Sequence, residues 1–329
     1  MSNNFTKLLQ ALRENLSNYK HLRHLHEQLI TDYKSAKVNL GQIQSAYNKE
    51  KKDVSKLCDV EFQVFSQFGD DGIIQWLIHK LPVPNKTFIE FGVENYRESN
   101  TRFLLINNYW SGLVIDGSID NVRSIKGEQL YTFYDLQAEC SFITKENINN
   151  LILSARFNKE VGILSIDIDG NDYWIWKEID KIQPIIVICE YNSLFGFQHS
   201  YTLAYKDDFV RGKNYPFNFY GTSLRSTCNL AEIKGYGFIG CNSAGNNAYF
   251  IRKDYLKYVS LPVLTPEQGY VFSSFTESWN EQGVPLRGTD KIRTINDLPV
   301  INTETGIIEK INAEAIINSL IASKKLNRF

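Results

Sequence analysis

Cysteine is scarce and unpatterned in this chain of 329 residues. The five, Cys58, Cys140, Cys189, Cys228 and Cys241, are odd in number and never form a Cys-x-x-Cys pair. That excludes a disulfide framework and a cysteine zinc site, and it fits a reducing compartment. Net charge is nearly absent too: 36 Lys+Arg stand against 37 Asp+Glu, a formal -1. A balance this even argues against wholesale binding to nucleic acid or to an anionic membrane. No apolar stretch approaches the roughly 18 residues of a membrane span. The polar opening residues carry no secretory apolar block. A cytoplasmic protein without a membrane span is expected. What is present is ordinary globular composition, 43% hydrophobic and 22% charged, with a 13% aromatic share that suits a large core or a ligand pocket.

Residues 1–57 lack proline and contain one glycine, Gly41. Alternating steps of four and three from Leu8 trace Leu8, Leu12, Asn15, Tyr19, Leu22, His26, Leu29, Tyr33, Ala36, Leu40, Ile43 and Tyr47. Only Asn15 and His26 break the apolar seam. A 3.5-residue repeat sustained this long predicts a coiled coil or a long helical hairpin. Self-association into a homo-oligomer is the expected use; packing on the chain's own domain is the alternative. His21, His24 and His26 cluster in sequence, but they form an incomplete ligand set and read as solvent-facing.

From residue 60 the pattern alternates. A helix over 67–81 is stopped by Pro82 and Pro84. Strands are expected over 86–92, 112–116, 131–135, 162–167 and 185–190, separated by helices that include 100–108 and 118–126. Such alternation implies α/β architecture, a Rossmann-like, mostly parallel sheet wrapped on both faces. A helix over 222–234 leads to two runs, 236–241 and 247–252, that read as a closing antiparallel hairpin. Beyond residue 252 four prolines, Pro262, Pro266, Pro285 and Pro299, interrupt the pattern before a final helix over 312–324. Three units follow: a helical segment 1–57, a sheet domain 58–255 and a C-terminal extension 256–329.

In open parallel sheets ligands bind beyond the carboxyl ends of the strands. Those ends are acidic here: Glu90, Asp116, Asp135, Asp167 with Asp169, and Glu190. A dinucleotide needs a G-x-G-x-x-G turn for its pyrophosphate. This chain offers Gly92-Val-Glu-Asn-Tyr-Arg97, a single glycine flanked by Glu90 and Glu94. That turn repels phosphate and welcomes a cation, so S-adenosylmethionine, with its sulfonium and α-ammonium, suits it better than a nicotinamide dinucleotide. Asp116 lies 24 positions after Gly92 (116 − 92), near the roughly 20-residue offset of a ribose-gripping acid. Asp167, Glu190 and the amide of Asn192 together could hold a hard cation such as Mg²⁺. Alternatively an acid, or His199, serves as general base toward a hydroxyl. Trp174 and Trp176 read as helix-packing aromatics rather than a stacking platform.

Several segments carry a resemblance: Phe88-Ile-Glu-Phe-Gly-Val93, Glu98-Ser-Asn-Thr101, Trp110-Ser-Gly-Leu-Val-Ile-Asp-Gly117, Ser165-Ile-Asp-Ile-Asp-Gly-Asn-Asp-Tyr-Trp174 and Glu190-Tyr-Asn192. Ser66-Gln-Phe-Gly-Asp-Asp-Gly72 and Gly240-Cys-Asn-Ser-Ala-Gly245 join them. Over about 60–255 the chain resembles FkbM-like class I methyltransferases of bacterial surface-polysaccharide clusters. The resemblance implies a seven-stranded sheet with one antiparallel strand, S-adenosylmethionine as donor, and O-methylation of a sugar, whether a nucleotide-activated sugar or a glycan precursor. It places the first-strand glycine and second-strand acid on Gly92 and Asp116, and the acids after the fourth strand on Asp167 and Asp169. Donor contacts are expected from Glu90, Gly92, Asn100, Asp116, Gly117, Asp135 and Asp167. The acceptor side falls to Asp167, Asp169, Glu190, Asn192 and His199. The rival readings are a nicotinamide-dependent oxidoreductase on the same sheet, a non-catalytic coiled-coil scaffold with a degenerate sheet domain, and N-methylation of a small amine.

Overall fold

The computed structural model describes the backbone of residues 2–155 and 161–326, with side chains from residue 18 onward. The opening segment is one uninterrupted helix, α1 (Ser2–Glu50), about 73 Å long at 1.5 Å per residue, and not a hairpin. Leu8, Leu12 and Asn15 lie outside the described side chains. The rest of the seam faces solvent: Leu22, Leu29, Tyr33, Leu40 and Ile43 are each 63–67% exposed. The helix docks through a different, small-residue face made of Gly41, Ser45 and Asn48. A Cβ on Gly41 would come within 2.4 Å of the Val64 side chain. Ser45 meets Gln75 and His79 at 3.1 Å each, and the Asn48 amide donates to the Val60 carbonyl at 2.7 Å.

The sheet domain follows in the order α2 (Asp70–Lys80), β1 (Thr87–Phe91), α3 (Arg102–Asn108), β2 (Ser111–Asp116), α4 (Ile119–Gly127), α5 (Gln129–Phe133), β3 (Leu136–Cys140), α6 (Ile148–Leu153), β4 (Ile163–Ile166), α7 (Asp172–Glu178), β5 (Ile186–Glu190), β6 (Tyr201–Thr202), α8 (Leu224–Ile233), β7 (Tyr236–Cys241) and β8 (Asn247–Arg252). Seven strands form one sheet in the order β3-β2-β1-β4-β5-β8-β7. All neighbours are parallel except β8, which runs antiparallel to both β5 and β7. This is the α/β, Rossmann-like sheet with one antiparallel strand that the resemblance implied. Alternate residues feed opposite faces: Ile89, Phe91, Leu113 and Ile115 enter one core, Phe88 and Val114 the other, as a pleated strand buried on both sides requires.

The third strand differs from expectation. Residues 129–133 coil into the short α5, and the strand begins at Leu136. Tyr131 and Thr132 have strand propensity, but Phe133 is 72% exposed while Leu136 and Ala138 are buried. Burial of the later pair decides the register, because strand propensity is mostly a packing effect.

The tail adds α9 (Pro266–Gly269), α10 (Thr289–Arg293), β9 (Pro299–Asn302), β10 (Ile308–Lys310) and α11 (Ala313–Ala322). It builds no core of its own. Tyr270, Phe272, Ile292, Val300, Ile316 and Leu320 pack into the same cluster as the central strands, and β9 joins β6 and β10 in a second sheet. No helix among the described residues is long and apolar enough to cross a membrane, and all five cysteines are free.

Buried carboxylates hold the entry to the domain. Asp71 accepts the amides of Val64, Phe65 and Ser66 and the Ser66 hydroxyl, all at 2.7–2.8 Å on one oxygen. Burial pushes its carboxyl pKa up to about 6 against the pull of those donors. Asp70 accepts from Asn242, Asn247 and, at 2.5 Å, the Tyr249 hydroxyl. The segments 66–72 and 240–245, far apart in sequence, are thereby joined. Asp71→Ala would leave three amides and a hydroxyl without an acceptor. At about 1–3 kcal/mol per stranded group, with partial relaxation, the variant should lose roughly 3 kcal/mol of stability, read as a lowered urea midpoint.

Candidate active site

Strand order reverses at β1. The chain steps outward from β1 to β2 to β3, then returns to place β4 on the other side of β1. A crevice opens at such a switch point because the crossover connections on its two sides leave in opposite directions. Here it is a cleft of about 660 Å³ beyond the carboxyl ends of β1, β4 and β5, within the roughly 300–1,000 Å³ of small-molecule sites.

Its floor is a contact between two strand ends. Gly92 has φ +69, and a Cβ there would lie 1.7 Å from the Asp167 carbonyl oxygen. Only glycine admits both the left-handed backbone and that approach. The chain then turns through Glu94 (φ 47) and Tyr96 (φ 62). Asp116 supports this turn from behind, taking the Glu94 amide at 2.8 Å on one oxygen and the Ser118 amide and Asn121 side chain on the other. Asp116 and Gly117 stand next to the cleft without lining it. Glu90 does line it, but its carboxylate already accepts from Ser99, Asn100 and Thr101 through four donors. Burial raises its pKa and those donors oppose the rise. Asn100 also lines the cleft and reaches Ser165 at 3.1 Å.

At the ends of β4 and β5 three carboxylates converge. Asp167, Asp169 and Glu190 each place an oxygen within 4.8 Å of the others. Burial raises the pKa of both Asp167 and Glu190 well above the ordinary range; the charges of Asp169 and Asp172 add to it for Asp167, those of Asp167, Asp169 and Asp172 for Glu190, and a hydrogen bond from Glu190 opposes the rise at Asp167. The loop that carries the first two is folded by Asp172, which accepts from Ile168 at 2.8 Å and Gly170 at 2.9 Å. Asp169 takes φ 58 as a result, a conformation aspartate tolerates better than most residues.

The counter-charge is Arg211, from a loop without regular structure. It donates to Asp169 at 2.6 Å and to Glu277, and its guanidinium lies 3.5 Å from the Tyr220 ring centroid. Burial would lower its pKa, but Tyr220 and the surrounding carboxylates outweigh that and raise it. Glu277 and its neighbours Phe275 and Trp279 bring the tail across the cleft, with Phe275 packed 5.0 Å from Phe68. Neither Arg211 nor Glu277 sits in a motif or at a strand end, so spacing held no signal for them.

Three expected site residues fall elsewhere. Asp135 precedes β3 instead of ending a strand, and its carbonyl accepts from Gly112 at the start of β2. It therefore sits at the amino edge of the sheet, opposite the cleft. Asn192 is fully engaged: its amide donates to the Asn218 and Tyr220 carbonyls and its oxygen accepts from Leu194. It braces a loop and has no free oxygen for a cation, so Asp169 replaces it in the acid set. His199 is carried away by the turn after β5 and stacks on Tyr201, ring centroids 4.8 Å apart, outside the cleft lining. Trp176 is buried against Phe250 and Trp174 donates to the Leu203 carbonyl, packing roles as expected.

No protein-family profile matches the sequence, and no curated protein matches it. Solved structures do resemble the fold. The N-terminal domain of EvdMO1 with S-adenosylhomocysteine bound is 11% identical over 64% of this chain and 94% of that one, at a TM-score of 0.37. An S-adenosylmethionine-dependent methyltransferase from Clostridium acetobutylicum is 11% identical over 55% and 89%, at 0.33. An O-methyltransferase family protein from Burkholderia thailandensis is 11% identical over 67% and 57%, at 0.32. Overlap this partial says nothing about the chemistry of the site.

Gly92→Ala forces a side chain onto a backbone carbonyl in a left-handed turn. It should cost roughly 3 kcal/mol and lower the midpoint of chemical denaturation. An unchanged midpoint would mean that β1 and β4 do not meet as described.

Proposed function

We propose that the chain is an S-adenosylmethionine-dependent O-methyltransferase acting on a sugar hydroxyl, in a nucleotide-activated sugar or glycan precursor of surface-polysaccharide synthesis. One observation carries the donor assignment. Among the described residues, the cleft at the switch point is lined by seven carboxylates, Glu90, Glu94, Glu98, Asp167, Asp169, Glu190 and Glu277, with Arg211 as the single cationic side chain. The opening turn packs onto the Asp167 carbonyl instead of presenting a glycine-rich amide cradle. A diphosphate would meet repulsion there, which disfavours the nicotinamide reading. A ligand with two positive centres and no phosphate meets attraction. When bound, S-adenosylmethionine supplies a methyl group on a sulfonium.

The chain's own residues have the following parts in this reading. Glu94, Glu98 and Asn100 face the donor's methionine end. Asp116 sets the turn that borders its ribose. Asp167 and Glu190 have raised pKa values and hydrogen-bond each other; the one of the pair that is ionised takes the single proton from the acceptor hydroxyl as its oxygen bonds to the methyl carbon and the sulfur–carbon bond breaks. Asp169, fixed by Arg211, orients them. Alignment of the hydroxyl in line with the departing sulfur supplies most of the acceleration. The sugar acceptor rests on the FkbM-like resemblance, and the free cysteines suit work in the cytoplasm.

We also infer that the chain works as a homodimer through α1. With Tyr19, Tyr33, Leu40 and Tyr47 at heptad position a and Leu22, Leu29, Ala36 and Ile43 at d, the docked residues Gly41, Ser45 and Asn48 fall on the opposite side of the helix. Two copies can therefore pair along the seam while each carries its own domain outward. Asp32 at g and Lys37 at the following e are oppositely charged, which favours parallel pairing.

Calorimetry with S-adenosylhomocysteine should detect one site per chain. Asp116→Ala should weaken it about tenfold or more while the melting curve stays cooperative. No heat at about 1 mM ligand, a concentration at which only some -4 kcal/mol of affinity is needed, would refute the donor assignment. Ultracentrifugation should show a dimer that Leu22→Glu with Leu29→Glu converts to a monomer of unchanged S-adenosylhomocysteine affinity. A monomeric parent chain would remove the dimer.

A further inference from the structure

Among the described residues one lysine is buried. Lys291, on α10, is 2% exposed, yet its ammonium forms no ion pair with any of them. It donates to the Ser273 hydroxyl at 2.7 Å and to the Phe275 carbonyl at 3.0 Å, both neutral. The rings of Phe272 and Phe275 flank it at 5.6 and 5.3 Å. An ammonium has three donors, so one N–H has no acceptor and the charge no counter-ion among the described residues. Burial lowers the lysine's pKa; Glu277 opposes that fall and Arg211 adds to it. Glu277 gives its own ion pair to Arg211 instead. Burying a cation without a counter-charge is costly, so the position calls for an anion.

Lys291 lines a cavity of about 200 Å³ that has no carboxylate among its described lining residues. Arg287 lines it too, and its exposed guanidinium makes no hydrogen bond or ion pair with a described residue. The hydroxyls of Ser273, Ser274 and Thr276 join them. Ser273 accepts from Lys291 and keeps its own hydrogen to donate. We propose that Lys291, Arg287 and these hydroxyls bind a phosphate group. Two cations match its charge of about -1.5 to -2, and its three free oxygens match the array of donors, whereas a carboxylate would leave one cation over. The cavity is smaller than the roughly 300–1,000 Å³ of whole-ligand sites, so it takes one group of a larger molecule. The rest of that molecule has a place beside it, because Phe275 and Thr276 line both this cavity and the cleft at the switch point. The Gly92 turn, which repels phosphate, is not part of the cavity. In the methyl-transfer reading, on which this last step alone rests, the acceptor is a phosphorylated sugar. Its phosphate meets Lys291 and Arg287 while its hydroxyl lies in the cleft.

The test uses the full chain in phosphate-free buffer, titrated with inorganic phosphate and followed by calorimetry without any methyl donor. One phosphate should bind per chain with a Kd at or below about 1 mM, and acetate should bind about tenfold more weakly or worse. Arg287→Gln and Lys291→Met should each weaken phosphate about tenfold or more, while Arg123→Gln, at an exposed arginine of α4, leaves it unchanged. Should Lys291→Met fail to fold, Arg287→Gln, at an exposed position, keeps the test decisive. No heat with phosphate at about 10 mM, binding indifferent to Arg287→Gln, or acetate bound as tightly overturns the site. Glucose 1-phosphate and UDP-glucose separate a phosphomonoester from a nucleotide-linked sugar as the source. At least one should bind about tenfold more tightly than inorganic phosphate and lose that margin in Arg287→Gln. If neither does, the link from this cavity to the acceptor is overturned. Because S-adenosylhomocysteine binding is measured separately, the phosphate site and the donor assignment can each fail alone.

Discussion

The closeness of two parallel strand ends governs the rest of this structure. Gly92 at the end of β1 presses against the Asp167 carbonyl at the end of β4, at a distance that leaves no room for a β-carbon. Because the two strands meet there, the turn after β1 is bent into left-handed backbone and aimed at Asp116. The loop after β4 is bent likewise, and its carboxylates are delivered to the end of β5. A cleft whose walls are tied this tightly is preorganised, and its acids cannot drift apart to relieve their repulsion.

Buried carboxylates are the common material of the domain, but they do two different jobs. Asp70, Asp71, Glu90 and Asp172 act as acceptors around which loops close. Between them they gather backbone, side-chain amide and hydroxyl donors and so offset their desolvation. Asp167 and Glu190 instead meet each other, and one oxygen of Glu190 is left without a donor. Proteins leave buried charge unmatched at a cost, and such places are where function is found. The same residue type, read without its partners, looks alike in both jobs.

One wall of the cleft belongs to segments far apart in the chain. Arg211 comes from an irregular loop, Glu277 and Phe275 from the tail, and all three lie over a sheet end built from residues 87–190. The tail shares its core with the central strands, so it completes the cleft instead of standing beside it. At the opposite end of the chain, α1 separates two tasks by face. Small residues permit close docking to α2, and the bulky seam is left outward.

Periodicity alone determined much of this protein. Continuous apolar runs ending in acids placed β1, β2, β4 and β5, whereas the contact of Gly92 with the Asp167 carbonyl appears only in the folded chain. The short Asn242–Asn246 link announced the antiparallel pair. The runs and the link are local, and local sterics and burial make them legible. Asp135, Asn192 and His199 were misplaced because their roles depend on what lies across from them. Asp135 lost its strand to the burial of Leu136 and Ala138. Asn192 was taken up by two carbonyls some 26 and 28 residues away, and His199 followed a turn that no spacing foretells. Arg211 and Glu277 came together only in three dimensions, since an ion pair across 66 residues leaves no periodic trace. Tertiary packing alone could decide which acids receive donors, and therefore which of them remain free to hold a ligand.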